Sequence, residues 1–125
     1  MGKRIISGEN VEGLPLSEAV QAGGFIFFSG LVAADSNGRV IQGGIESETT
    51  HIFQQVETVL QKVGGSMSDV VKVSAFLAHP DDFTGFNNAY RRVFPKEPPA
   101  RITTCAQLLI DARIELDVVV HVEDS

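Results

Sequence analysis

Pro98-Pro99-Ala100-Arg101-Ile102-Thr103-Thr104 and, ten residues after Thr104, Ile114-Glu115-Leu116-Asp117-Val118-Val119-Val120-His121 decide the reading of this chain. Both runs are rich in β-branched residues and read as strands, and the prolines ahead of the first one end any preceding helix. The first strand carries a permanently charged guanidinium at its mouth, and the second carries a carboxylate. The planar fork of an arginine matches a carboxylate at two points, so Arg101 reads as an anchor for a small acidic ligand, with Glu115 available to position or activate water. The competing reading of Arg101 is a solvated arginine paired with an acidic neighbour, the fate of most arginines. Alternation puts Arg101, Thr103, Cys105 and Gln107 on one face of their strand, and Glu115, Asp117, Val119 and His121 on one face of theirs. If these faces coincide, a salt bridge from Glu115 to a basic group competes with water positioning.

Working outward, Arg101 to about Leu108 and Arg113 to His121 are the last two strands. Ahead of them, Phe83, Phe86, Tyr90, Val93 and Phe94 mark a helix capped by Asp81 or Asp82 and ended by Pro95, Pro98 and Pro99. Val70 to Leu77 is a β-rich run led in by Ser66 to Asp69. Glu46 to Val63 is the strongest helix, because Ile52, Phe53, Val56, Val59, Leu60 and Val63 make one apolar stripe that Gly64-Gly65 closes. Phe25 to Ser29 is continuously apolar and suits a strand buried on both faces. Gly23-Gly24 predicts a hairpin from Ala19–Ala22 into it, and Asp35 to Gly38 predicts a turn. Gly8 to Leu16 reads as a loop after a short first strand from Lys3 to Ser7.

The order strands, helix, strand, helix, strands predicts a single domain over residues 1–125, with two helices over one face of a mixed sheet. The other face is then left bare. An apolar sheet face of that size predicts a homo-oligomer.

The chain of 125 residues is 43% hydrophobic, which suits one buried core and not a disordered chain. No apolar run approaches the ~20 residues that span a bilayer. Met1 to Gly8 has a basic pair with no apolar stretch behind it, so no signal peptide is expected. The lone Cys105 excludes an internal disulfide and a cysteine metal cluster, and it is expected to be a small buried side chain in a cytoplasmic protein. His51, His79 and His121 share no ligand spacing, so no metal is expected. A net charge of −6 argues against broad contact with nucleic-acid phosphates.

Leu14-Pro15-Leu16-Ser17-Glu18-Ala19-Val20, Phe28-Ser29-Gly30, Asn87-Asn88-Ala89-Tyr90, Pro99 to Thr104 and Ile114-Glu115-Leu116 together resemble the Rid (YjgF-type) family, in the family's order and over almost the whole chain. The resemblance implies a chorismate-mutase-like α+β fold and a homotrimer with sites at subunit interfaces. It implies hydrolysis of reactive 2-imino or enamine acids to 2-oxo acids and ammonia, with no cofactor. By the same resemblance Arg101 holds the substrate carboxylate and Glu115 lies near the hydrolytic water. Gly30 and the backbone of Thr103 meet the ligand, and Asn87 lines or supports the cleft. Leu16 stands where many archetypal deaminases have tyrosine, and Thr103 where they often have cysteine. By its own sequence context, Asn87 is equally a surface amide, and Tyr90 is a core residue. Two other functions compete: a non-catalytic small-carboxylate binder using the same arginine, and an endoribonuclease or translation inhibitor.

Overall fold

The computed structural model describes residues 2–9 and 13–123. The elements are β1 (Arg4–Glu9), β2 (Ser17–Ala22), β3 (Phe25–Phe28), α1 (Ile45–Lys62), β4 (Val70–Leu77), α2 (Phe83–Val93), β5 (Ala100–Cys105) and β6 (Ile114–His121). The strands form one six-stranded sheet in the order β1-β2-β3-β6-β4-β5. The β4–β5 pairing is parallel and the others are antiparallel.

That order explains why both helices share a face. β3 and β4 both run antiparallel to β6 between them, so β3–α1–β4 is a crossover between parallel strands, as is β4–α2–β5. Both crossovers progress in the same direction across the sheet, and crossovers of this type are right-handed, which puts the two helices on the same side. The predicted α+β arrangement of two helices on one face of a mixed sheet is therefore the observed one. Ile52, Phe53, Val56 and Leu60 of α1 and Phe86 and Tyr90 of α2 are buried against Val73, Ala75, Leu116, Val118 and Val120 of the sheet. Gly64, at φ 74, takes the left-handed conformation that closes α1, and the Gly65 N–H reaches back to the Leu60 carbonyl at 2.9 Å.

In β6, Ile114, Leu116, Val118 and Val120 are buried beneath the helices, while Glu115, Asp117, Val119 and His121 face the other way. The continuously apolar β3 is not buried on both faces of this chain. Ile26 and Phe28 are buried, but Phe25 and Phe27 are 44% and 46% exposed on the bare face, with Ile102 of β5 at 54%.

Several local expectations change. β5 ends at Cys105, where the Ala106 N–H bonds the Leu77 carbonyl and the chain leaves the sheet, and β6 begins at Ile114. Cys105 is exposed, because β5 is an edge strand with no neighbour on its outer side. Asp82 occupies the position before α2 without capping it. Its carboxylate instead accepts two hydrogen bonds, of 3.0 and 3.2 Å, from Arg113, and a 3₁₀ turn over Pro80–Asp82 leads into the helix. Gly8 lies inside β1, while residues 10–12 of the expected loop fall outside the described residues. Among the described residues no helix is long and apolar enough to cross a membrane.

Candidate active site

The register of β4 fixes where the two charged candidates point. Val73, which is buried, pairs with Arg101 on one side and Val118 on the other. Paired residues in neighbouring strands share a face, so Arg101 lies on the helix-covered side. Its guanidinium carbon is 4.7 Å from the ring centre of Tyr90, 5.0 Å from Phe86 and 6.0 Å from Phe83. Those rings belong to α2, and an arginine over aromatic faces gains cation–π attraction without using its N–H donors. Among the described residues the guanidinium has no ion-pair partner.

Two further polar groups are stranded nearby. The Tyr90 hydroxyl and Thr103 Oγ1 are buried and have no hydrogen-bond partner among the described residues. Thr103 pairs with buried Ala75, which puts its side chain on the same face as Arg101. Burial pushes the Tyr90 phenol up to about 12 even though the Arg101 charge pulls it down, so the hydroxyl keeps its proton at neutral pH. The sequence reading leaves Tyr90 in the core; it does lie there, but its unpaired hydroxyl beside Arg101 is a feature no apolar periodicity reveals. Asn87 is half-buried on α2, one helical turn from both Phe83 and Tyr90.

Glu115 belongs to the other face. It pairs with Phe76, which in turn pairs with Thr104, three residues along from Val73 and Arg101, and an odd offset puts them on the opposite face. A bulge brings Gly30 against it. Phe27 pairs with Val119, but the next bridge joins Leu31 to Leu116, so β3's side has one extra residue near Ser29-Gly30. The Leu31 and Leu116 backbones exchange hydrogen bonds of 2.8 and 2.9 Å. A Cβ at Gly30 would run into the Glu115 carboxylate, so only glycine leaves that carboxylate where it stands.

Gly30 and Glu115 lie between two grooves. The larger, ≈ 740 Å³, extends past Leu14, Leu16 and Glu18, and the smaller, ≈ 250 Å³, runs along Phe76 and the β5–β6 loop. The candidate residues therefore fall into two groups. Gly30, Leu16 and Glu115 meet on the bare sheet face, whereas Arg101, Thr103 and Asn87 gather at the helix-covered edge. Glu18 joins the first set unannounced by the sequence, since its role depends on β2 lying beside β3.

The molecule is a two-layer α+β protein with its candidate polar groups divided between the two faces of one sheet. Residues 12–122 match the family described as Endoribonuclease L-PSP, and the chain belongs to that family. It is 33% identical over 111 residues to a Dermatophagoides farinae protein named 2-iminobutanoate/2-iminopropanoate deaminase, covering 87% of each chain. It is 38% identical over 94 residues to the Schizosaccharomyces pombe protein mmf2, mitochondrial, covering 75% of this chain and 74% of that one. Among solved structures, a Yersinia pestis protein of the conserved Rid family superposes with a TM-score of 0.88 at 25% identity, over 97% of this chain and 100% of its own.

Proposed function

We propose that this protein hydrolyses 2-imino acids to 2-oxo acids and ammonia, as a homotrimer whose sites form between subunits. The observation that carries this reading is the Arg101 guanidinium, without an ion-pair partner among the described residues and set over aromatic rings on the same helix as a stranded tyrosine hydroxyl. Support comes from the bare face with Phe25 and Phe27, which a second copy would cover, and from the relative named as a deaminase.

In this mechanism the substrate carboxylate sits on Arg101 of the partner subunit, held by two charge-assisted hydrogen bonds. Its imine carbon then faces Glu115 and the Gly30 backbone. Water attached to Glu115 attacks that carbon and gives up a proton to the carboxylate, which passes it on to the imine nitrogen. The resulting carbinolamine collapses: Glu115 takes the hydroxyl proton and delivers it to the amino nitrogen as the C=O bond forms and the C–N bond breaks, so that ammonia departs and the carboxylate is restored. Imines hydrolyse readily in water, so orientation and one proton transfer are enough. No step calls on a metal or an organic cofactor. A reducing compartment, the cytoplasm, suits the single exposed Cys105.

The test is imine hydrolysis with Arg101→Ala and Glu115→Gln. Two charged hydrogen bonds are worth roughly 1.5–3 kcal/mol each, so Arg101→Ala should lose at least about a hundredfold in kcat/KM. Glu115→Gln should still bind a 2-oxo acid but hydrolyse slowly. Binding with no hydrolysis by the wild type would leave a carboxylate-binding module, and salt-sensitive RNA cleavage would favour the ribonuclease reading.

A further inference from the structure

We infer that the larger groove beside Glu115 is a side-chain pocket that selects 2-imino acids with extended or branched apolar side chains and rejects those with a second carboxylate. The inference rests on the deaminase reading for the identity of the ligand and extends it to substrate class. The groove of ≈ 740 Å³ is within the range of small-molecule sites. Leu14, Leu16, Val40 and Ile110 form much of its wall. They come from the segment before β2, the segment before α1 and the β5–β6 loop, so three parts of the chain converge on one apolar surface. Leu14, Leu16 and Ile110 are 52%, 39% and 45% exposed, which leaves that surface open to a ligand.

Most polar side chains of the lining are already engaged. Both amide atoms of Gln55 are bonded, Oε1 to the Ala34 N–H at 2.9 Å and Nε2 to the Val32 carbonyl at 3.1 Å. Ser29 donates its hydroxyl to the Ser17 carbonyl at 2.6 Å. Asp35 accepts from the N–H groups of Asn37 and Arg39, and Glu18 accepts from the Ser7 hydroxyl. A polar substrate tail would find few free partners and would lose its water. The charged side chains of the lining, Glu18, Asp35 and Glu115, are all acidic, and no Lys, Arg or His joins them among the described residues. A second carboxylate entering this groove meets repulsion that no basic side chain of its described lining offsets.

The experiment measures the wild-type oligomer in two ways. Calorimetry reads binding of the 2-oxo acids of leucine, alanine and glutamate, and a trapping assay reads hydrolysis of the corresponding imines made by an amino-acid oxidase. The leucine-derived compounds should be preferred about tenfold over the alanine-derived ones, as expected for a few extra carbons in an open apolar pocket. The glutamate-derived compounds should rank last. Ile110→Lys, at an exposed position, should raise the glutamate-derived ligand above the leucine-derived one. Equal binding of all three, no binding, or a wild-type preference for the glutamate-derived acid would overturn the inference. Ordered binding without hydrolysis of any imine would sink the deaminase reading and leave the pocket standing. Hydrolysis without the order would do the reverse.

Discussion

Arg101 and Glu115 project from opposite faces of one sheet. Arg101 aligns with Val73 and lies under α2 against Phe86 and Tyr90, while Glu115 aligns with Phe76 and lies against Gly30 on the bare face. A ligand bound to Arg101 is thus on the wrong side of the sheet to meet the Glu115 of the same chain. The two strand faces that sequence alternation left free to coincide do not coincide, and among the described residues Glu115 has no salt bridge to a basic group. If the two groups act on one molecule, they come from different copies.

Gly30→Ala tests the placement of the carboxylate without removing it. The added methyl collides with a Glu115 oxygen, and the side chain must swing away. Gly30 is exposed at the mouth of the groove, so the fold should tolerate the change. We expect hydrolysis to fall by at least about tenfold, the scale of a misplaced catalytic group, with the thermal midpoint little altered. Unchanged kinetics would show that Glu115 can be displaced at no cost and has no role in the reaction.

Tyr90 is the only tyrosine in the chain, so ultraviolet titration reads it directly. Its midpoint should lie near 12 instead of the ordinary 10.0, and Arg101→Ala should move it higher by removing the positive charge that opposes burial. The sign for stability follows. Below pH 10 the folded and unfolded chains both keep the proton, and the stabilisation is complete. Between 10 and about 12 only the unfolded chain loses it, so stability falls as pH rises through that window. The difference from Tyr90→Phe should reach roughly 3 kcal/mol. A midpoint near 10 would mean that the hydroxyl is open to water.

Glu48 is fully buried on α1, with Oε1 accepting the Arg113 N–H at 3.2 Å and Oε2 unpartnered among the described residues. Removing the acceptor leaves the Arg113 N–H without its partner and a void in place of the buried side chain, so Glu48→Ala should cost about 2–4 kcal/mol in urea unfolding. Glu48→Gln keeps an acceptor and removes a buried charge, and should be neutral or stabilising. A glutamine variant as weak as the alanine variant would show that the charge itself is needed.

The helices and the buried face of β6 were legible because one apolar stripe or one alternation within a single element suffices to specify them. α1 carries its stripe from Ile52 to Leu60, and β6 buries every second residue. Relations between elements were not legible. Alternation tells which residues share a face of β5 or of β6, but β4 lies between these strands and its register with each decides whether the faces agree. The edge position of β5 exposes Cys105, and the capture of Asp82 by Arg113, distant in sequence, overrides a local capping rule. The aromatic run of β3 correctly marks an unusual strand, yet whether Phe27 is covered by its own chain or by another is a question of partners and not of pattern.

Mixing the two catalytic variants tests most directly whether the site is shared. Arg101→Ala and Glu115→Gln chains, each strongly impaired alone, are refolded together or co-expressed with different tags. In a ring of three, a working site needs an intact Glu115 from one copy and an intact Arg101 from its neighbour. An equal mixture should therefore recover about a quarter of wild-type imine hydrolysis, by random assembly of a cyclic trimer. Mixed oligomers that form, as shown by double-tag purification, and yet remain inactive would contradict a site built across subunits.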